Sequence, residues 1–105
     1  MEKIINQEFG GERPLYRAKD LYLENVKIHA GESALKETAR ISAYHCIFGA
    51  DADLAFEYST VNATVKGSIT SVKNPRSGRI VADGYGAIIL DTNIKAPGDC
   101  QILTR

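Results

Sequence analysis

The chain has 105 residues and carries 13 Lys and Arg against 13 Asp and Glu, a formal charge of zero. That length suits one domain with one core. The balance excludes a basic stripe for displacing phosphate counterions, so a nucleic-acid partner is not expected, and nothing calls for an anionic membrane surface. No segment reaches the apolar length of a membrane-spanning helix, and MEKIINQEF lacks the apolar stretch of a secretion signal, so a cytoplasmic protein is expected. Cys46 and Cys100 make neither a metal-ligand spacing nor a disulfide framework.

In chain order, a short segment from Ile4 to Phe9 precedes two consecutive windows of twenty residues, GERPLYRAKDLYLENVKIHA from Gly11 to Ala30 and GESALKETARISAYHCIFGA from Gly31 to Ala50. Gly11 and Gly31, Glu12 and Glu32, Leu15 and Leu35, and Ala30 and Ala50 coincide. Within the first window Leu21 and Leu23 alternate with Asp20, Tyr22 and Glu24, and within the second Ile41 and Ala43 alternate with Arg40, Ser42 and Tyr44. Period two marks a strand with one buried face. A third window, Asp51 to Thr70, repeats the pattern with Val61, Ala63 and Val65. Asn74-Pro75 and Ser77-Gly78 are turn signals, so residues 71 to 79 are expected to form a solvated loop where the register slips by about a residue. Beyond it, Ala87 to Leu90 form an apolar run, Pro97-Gly98 marks a turn, and Gln101 to Thr104 read as a last strand. No segment has helical periodicity.

A strand pattern recurring every twenty residues is the mark of a coil stacked on itself at about 4.8 Å, the interstrand spacing. Leucine-rich repeats of similar length would show an Asn among regularly spaced leucines, which is missing here. The expectation is an all-β chain, a short right-handed parallel β-helix of about four to five coils, with residues 1–105 forming a single domain. A uniform period stacks Leu21, Ile41, Val61 and Val81 in one interior column, Leu15, Leu35, Ala55 and Pro75 in a second, and Ile28, Phe48, Ser68 and Ile88 in a third. Asp83 falling in the column of Leu23, and Ser68 in the third, require the later coils to shift, bringing Ile69, Ile80 and Ala82 inward. Cys46 falls at the apolar position of Val26 and reads as a buried small hydrophobe.

The stretches GERPLYRAKDLYLENVKI, GESALKE and LAFEYSTVNATVKGSITSVKNPRSGRIVAD resemble an uncharacterised bacterial family of pectin-lyase-like right-handed parallel β-helix proteins, a domain of unknown function. The resemblance covers roughly residues 5 to 95. It implies a shortened member in which the first coils join the last directly, a change a solenoid tolerates because each remaining strand keeps a neighbour of the same shape.

Enzymes on such scaffolds use clustered carboxylates with a basic partner, or carboxylates around calcium. Asp51, Asp53, Asp83 and Asp91 sit in no such motif, so no catalytic residue, metal site or cofactor is assigned, and a solvated turn is preferred for Asp51 and Asp53. His29 and His45 share no column and have no ligand at metal spacing. Ser33 and Ser59 have no visible base, and the glycines at 84, 86 and 98 open no helix. On the uniform register Arg17, Glu37 and Glu57 stack beside Tyr16, Lys36 and Phe56, with Tyr58 adjacent. This outer strip of Tyr16, Lys36, Glu37, Phe56, Glu57 and Tyr58 is the candidate saccharide-binding surface. The competing account is cross-strand ion pairing, at about 0.2–1 kcal/mol per pair.

The expected function is a non-enzymatic structural or protein-interaction module that forms a homodimer or higher oligomer through a coil end, because a short stack leaves unpaired backbone at both ends. The alternative is a carbohydrate-binding module or reduced lyase using the outer strip.

Overall fold

The computed structural model describes residues 2–90 and 100–105. Ten strands follow in order: β1 Glu2–Ile5, β2 Glu8–Phe9, β3 Lys19–Glu24, β4 Lys27–Glu32, β5 Ala39–Asp53, β6 Thr60–Val65, β7 Ser68–Lys73, β8 Ser77–Ala82, β9 Gly84–Ile89 and β10 Gln101–Thr104. All pairings are parallel. The order β1-β3-β5-β6-β8-β10 stacks six strands on one face, so the chain winds through about five turns of a β-solenoid.

One interior column of that face runs Leu21, Ile41, Val61, as the twenty-residue period predicts. Its neighbour runs Ile4, Leu23, Ala43, Ala63, Ile80, Ile102. Leu23, Ile41, Val61 and Ile80 are buried in the core. Val81 does not join the first column. Val61 pairs with Gly78 instead, 17 residues on, and Val81 lies beside Thr64. The slip is three residues rather than one. It does bring Ile69, Ile80 and Ala82 fully inside, and it carries Asp83 to an exposed corner. Gly78 is required by this shorter coil: its φ is +106°, and a Cβ there would overlap the Val61 carbonyl oxygen.

Residues 71 to 79 are not the expected solvated loop. They complete β7 and begin β8, with Asn74, Pro75 and Arg76 alone between the two strands. Asn74 and Pro75 are buried at that corner. Pro75 therefore leaves the Leu15 column, and so does Ala55, which pairs with Val72 instead. The third predicted column holds at Ile28 and Phe48 and then fails, because Ser68 and Ile88 are exposed while Ile69 is buried and pairs with Tyr85.

The second face changes sheet along the axis. β2, β4 and the later half of β5 form one ladder, whereas β7 and β9 form a separate two-stranded sheet. The third side is made of turns. Their left-handed residues recur as Arg13, Leu15 and Arg17, then Ser33, Leu35 and Glu37, then Leu54, Phe56 and Tyr58. The spacing is 20 and then 21 residues, because the β4–β5 register shifts between Ile28 and Ala30: Ile28 pairs with Phe48 but Ala30 pairs with Asp51. That bulge inserts one residue and turns every side chain after it by one position.

Another corner stacks Asn6, Asn25 and His45, each at positive φ, with the Asn25 amide donating to Asn6 Oδ1 at 3.1 Å. Asn tolerates this conformation well, which explains the side-chain ladder. His45 is the third member of that turn column.

Candidate functional site

The bulge decides the fate of the outer strip. Phe56 moves into the column of Leu15 and Leu35, where its amide bonds to the Ala34 carbonyl and its side chain is fully buried. Its ring lies 5.3 Å from that of Phe48 at 50°. The expected surface aromatic is thus a core residue, a correction to the uniform register. Tyr58, not Glu57, continues the Arg17 and Glu37 column.

Glu57 is also buried, with 8% of its side chain exposed. Its carboxylate is held by Lys36 at 3.6 Å and Lys73 at 3.7 Å and accepts from Ser33 Oγ at 3.5 Å. Lys73 reaches it only because the short coil places β7 beneath this corner. No period-twenty alignment points to it.

Tyr16 stays at the surface and donates to Glu37 Oε2 at 3.0 Å. Arg13 and Arg17 stand 5.4 and 5.1 Å from its ring centroid, and Arg17 pairs with Glu37 at 3.6 Å. Of the six predicted strip residues, Tyr16, Lys36, Glu37 and Tyr58 thus reach solvent at least in part, while Phe56 and Glu57 are withdrawn. The charges that remain are largely engaged with one another.

A second surface is the outside of the six-stranded face. Tyr22 and Tyr44 have ring centroids 5.6 Å apart, Lys3 sits over Tyr22 at 5.8 Å, and burial followed by the neighbouring Glu24 raises the Tyr22 phenol above its usual range. Next along the sheet, a depression is lined by Tyr44, Asn62, Thr64, Arg79 and Arg105. Arg105 bonds to Asp83 at 2.8 Å and to the Val65 carbonyl. That guanidinium holds the Asp83 carboxyl below its ordinary value. Arg40 does the same for Asp20 three coils earlier. Period two located both tyrosines on the outer face, but their proximity depends on the coil register.

Cys46 is 3% exposed, and burial raises its thiol pKa. Burial likewise pushes Cys100 up to about 11. Neither is poised as a nucleophile at neutral pH. His29 lies 3.0 Å from Glu8, tying β2 to β4. Asp51 is exposed, and Asp91 lies outside the described residues. Among the described residues no group of three or more His, Cys, Asp or Glu converges.

The third surface is the C-terminal end of the stack. Among the described residues β9 pairs on one side only, with β7. Ile88, Ile89 and Leu90 are 46%, 39% and 62% exposed. The expected turn at Pro97-Gly98 lies outside the described residues.

Parallel coils, one continuous core and turn columns repeated along an axis define a β-solenoid protein. Within that class the chain belongs to the family described as Protein of unknown function (DUF3737), whose model matches residues 2–51 and 48–103. Searches of curated proteins and of solved structures found no match.

Proposed function

We propose that this chain is a non-enzymatic interaction module, a minimal solenoid that associates with copies of itself through its C-terminal coil end. The observation carrying the reading is β9, a six-residue strand without charge whose second edge has no partner among the described residues and whose last residues continue into an exposed apolar run. Soluble proteins normally blunt such an edge with charge, proline or a bulge. Strand addition needs no special motif, only an open edge of matching length. Light scattering across micromolar concentrations tests this. The expected mass exceeds the 11.5 kDa of one chain and returns to it in the Ile88→Lys, Ile89→Lys double variant. A monomeric mass at every concentration refutes the reading.

A second reading, a carbohydrate-binding surface, is favoured by one observation: the Tyr44 ring, packed beside that of Tyr22, lines a depression holding Asn62, Thr64 and two arginines. Aromatic faces beside hydrogen-bonding groups suit a sugar ring. Titrating neutral and uronic oligosaccharides by calorimetry tests it, and binding lost in Tyr44→Ala supports it. The affiliation with pectin-lyase-like β-helices belongs to this reading. So does the idea of a shortened member, for which the meeting of the two family matches at residues 48–51, beside the bulge, is the support.

A further inference from the structure

We infer that the depression between Tyr44 and Arg79 takes an acidic saccharide, its sugar ring on the face of Tyr44 and its carboxylate on the Arg79 guanidinium. This rests on the carbohydrate-binding reading above and names the class of sugar and the residue that selects it.

The ladder register sets the arrangement. On the outside of the six-stranded face Ser42, Asn62 and Arg79 lie in line across β5, β6 and β8, and Tyr44, Thr64 and Val81 form the next line. Tyr44 and Arg79 thus stand on either side of β6, two interstrand spacings or about 10 Å apart. Asn62 and Thr64 are shorter and floor the gap, leaving a depression of about 380 Å³, a volume within the range of small-ligand sites. A second depression, lined by Arg40, Ser42, Thr60 and Asn62, shares Asn62 with the first. The trough therefore continues along β5 and β6, with room for a second sugar unit. Tyr44, 44% exposed, offers its ring face to the C–H face of a sugar. The Asn62 amide and the Thr64 hydroxyl can both donate to and accept from sugar hydroxyls.

Charge decides which sugar. Of the arginines around the trough, Arg105 is bound to Asp83 and Arg40 to Asp20. Arg79 is exposed and has no carboxylate partner among the described residues. Its guanidinium is a planar fork that matches a carboxylate. A neutral sugar leaves this charge uncompensated, while one carboxylate balances it. A phosphate ester, with close to two negative charges, would call for a second free cation, and the other two arginines are already paired. No described carboxylate lines either depression, so the site holds its sugar without the acid and base that cleavage requires.

Calorimetric titration of cellotriose, galactotriose and mannotriose, each beside the uronic acid trimer of the same linkage, tests this. At least one acidic trimer is expected to bind about fivefold more tightly than its neutral counterpart, the worth of one exposed ion pair. The advantage should shrink as ionic strength rises from about 0.05 to about 0.5 M and vanish when the carboxylates are methyl-esterified. Arg79→Gln should abolish it while leaving the neutral trimer's affinity and the melting temperature unchanged. Arg79→Lys should keep part of it, and Tyr44→Ala should weaken binding of both trimers. Equal affinity for acidic and neutral trimers, or a preference that survives Arg79→Gln, overturns the role given to Arg79 and leaves the carbohydrate-binding reading standing. No binding of any trimer at millimolar concentration overturns both.

Discussion

Replacing Phe56 by Ala tests the register shift that shapes the whole third side of the solenoid. Phe56 has no exposed surface and packs its ring 5.3 Å from Phe48. Truncating a buried Phe to Ala costs about 3–5 kcal/mol, the lost transfer energy plus the cavity. Of this, about 0.5–1.5 kcal/mol belongs to the ring pair. Against a total of about 5–15 kcal/mol for a domain of this size, the loss is a large fraction. Urea unfolding followed by circular dichroism should show a lower midpoint with an unchanged slope, and the melting temperature should fall by on the order of 15 °C or more. Phe56→Leu, which keeps most of the volume, should cost far less, and Tyr58→Ala, half-exposed on the next outward column, should cost under about 1 kcal/mol. Had the uniform period of twenty held, Phe56 would face solvent and its loss would change stability by no more than about 0.5 kcal/mol. That small value for Phe56→Ala would refute the bulge as the cause of its burial.

Ile41→Lys sets a charge between Leu21 and Val61 in the interior column and should leave no cooperative unfolding transition; an unchanged melting curve would contradict the column. Gly78→Ala should destabilise by more than about 2 kcal/mol, since left-handed backbone and overlap with Val61 act together, whereas Gly67→Ala, at φ +81° in open space, should cost only about 1–2 kcal/mol. Equal losses would show that contact at Gly78 is unimportant. Burial raises the Cys100 thiol from 9.0 to about 11, so from pH 9 upward the unfolded chain releases a proton that the folded chain retains. The stability held below pH 9 should therefore decline as pH rises through 11, and Cys100→Ser should flatten that decline in denaturant midpoints measured between pH 8 and 11.

Period-two alternation within windows of twenty residues was enough to identify parallel coils, because a strand shows one face to the core and each coil must present it at the same place. Leu21, Ile41 and Val61, the burial of Cys46 and the inward turn of Ile69, Ile80 and Ala82 were legible for that reason. The outer strip was not. A single inserted residue between Phe48 and Asp51 reverses which side chains point inward, and the one local trace of it is Gly49, where a Cβ would overlap the His29 carbonyl oxygen, a signal that marks a bulge or a close backbone approach without fixing the register. The same holds for the 17-residue coil, where Asn74-Pro75 reads as a loop yet lies buried at a corner, and where Lys73 reaches Glu57 from another coil. Local alternation is written residue by residue, so the sequence alone specified the class of fold. Coil length and ladder register are settled by which backbone groups find partners and which side chains fill the shared interior, and only the tertiary structure decided those.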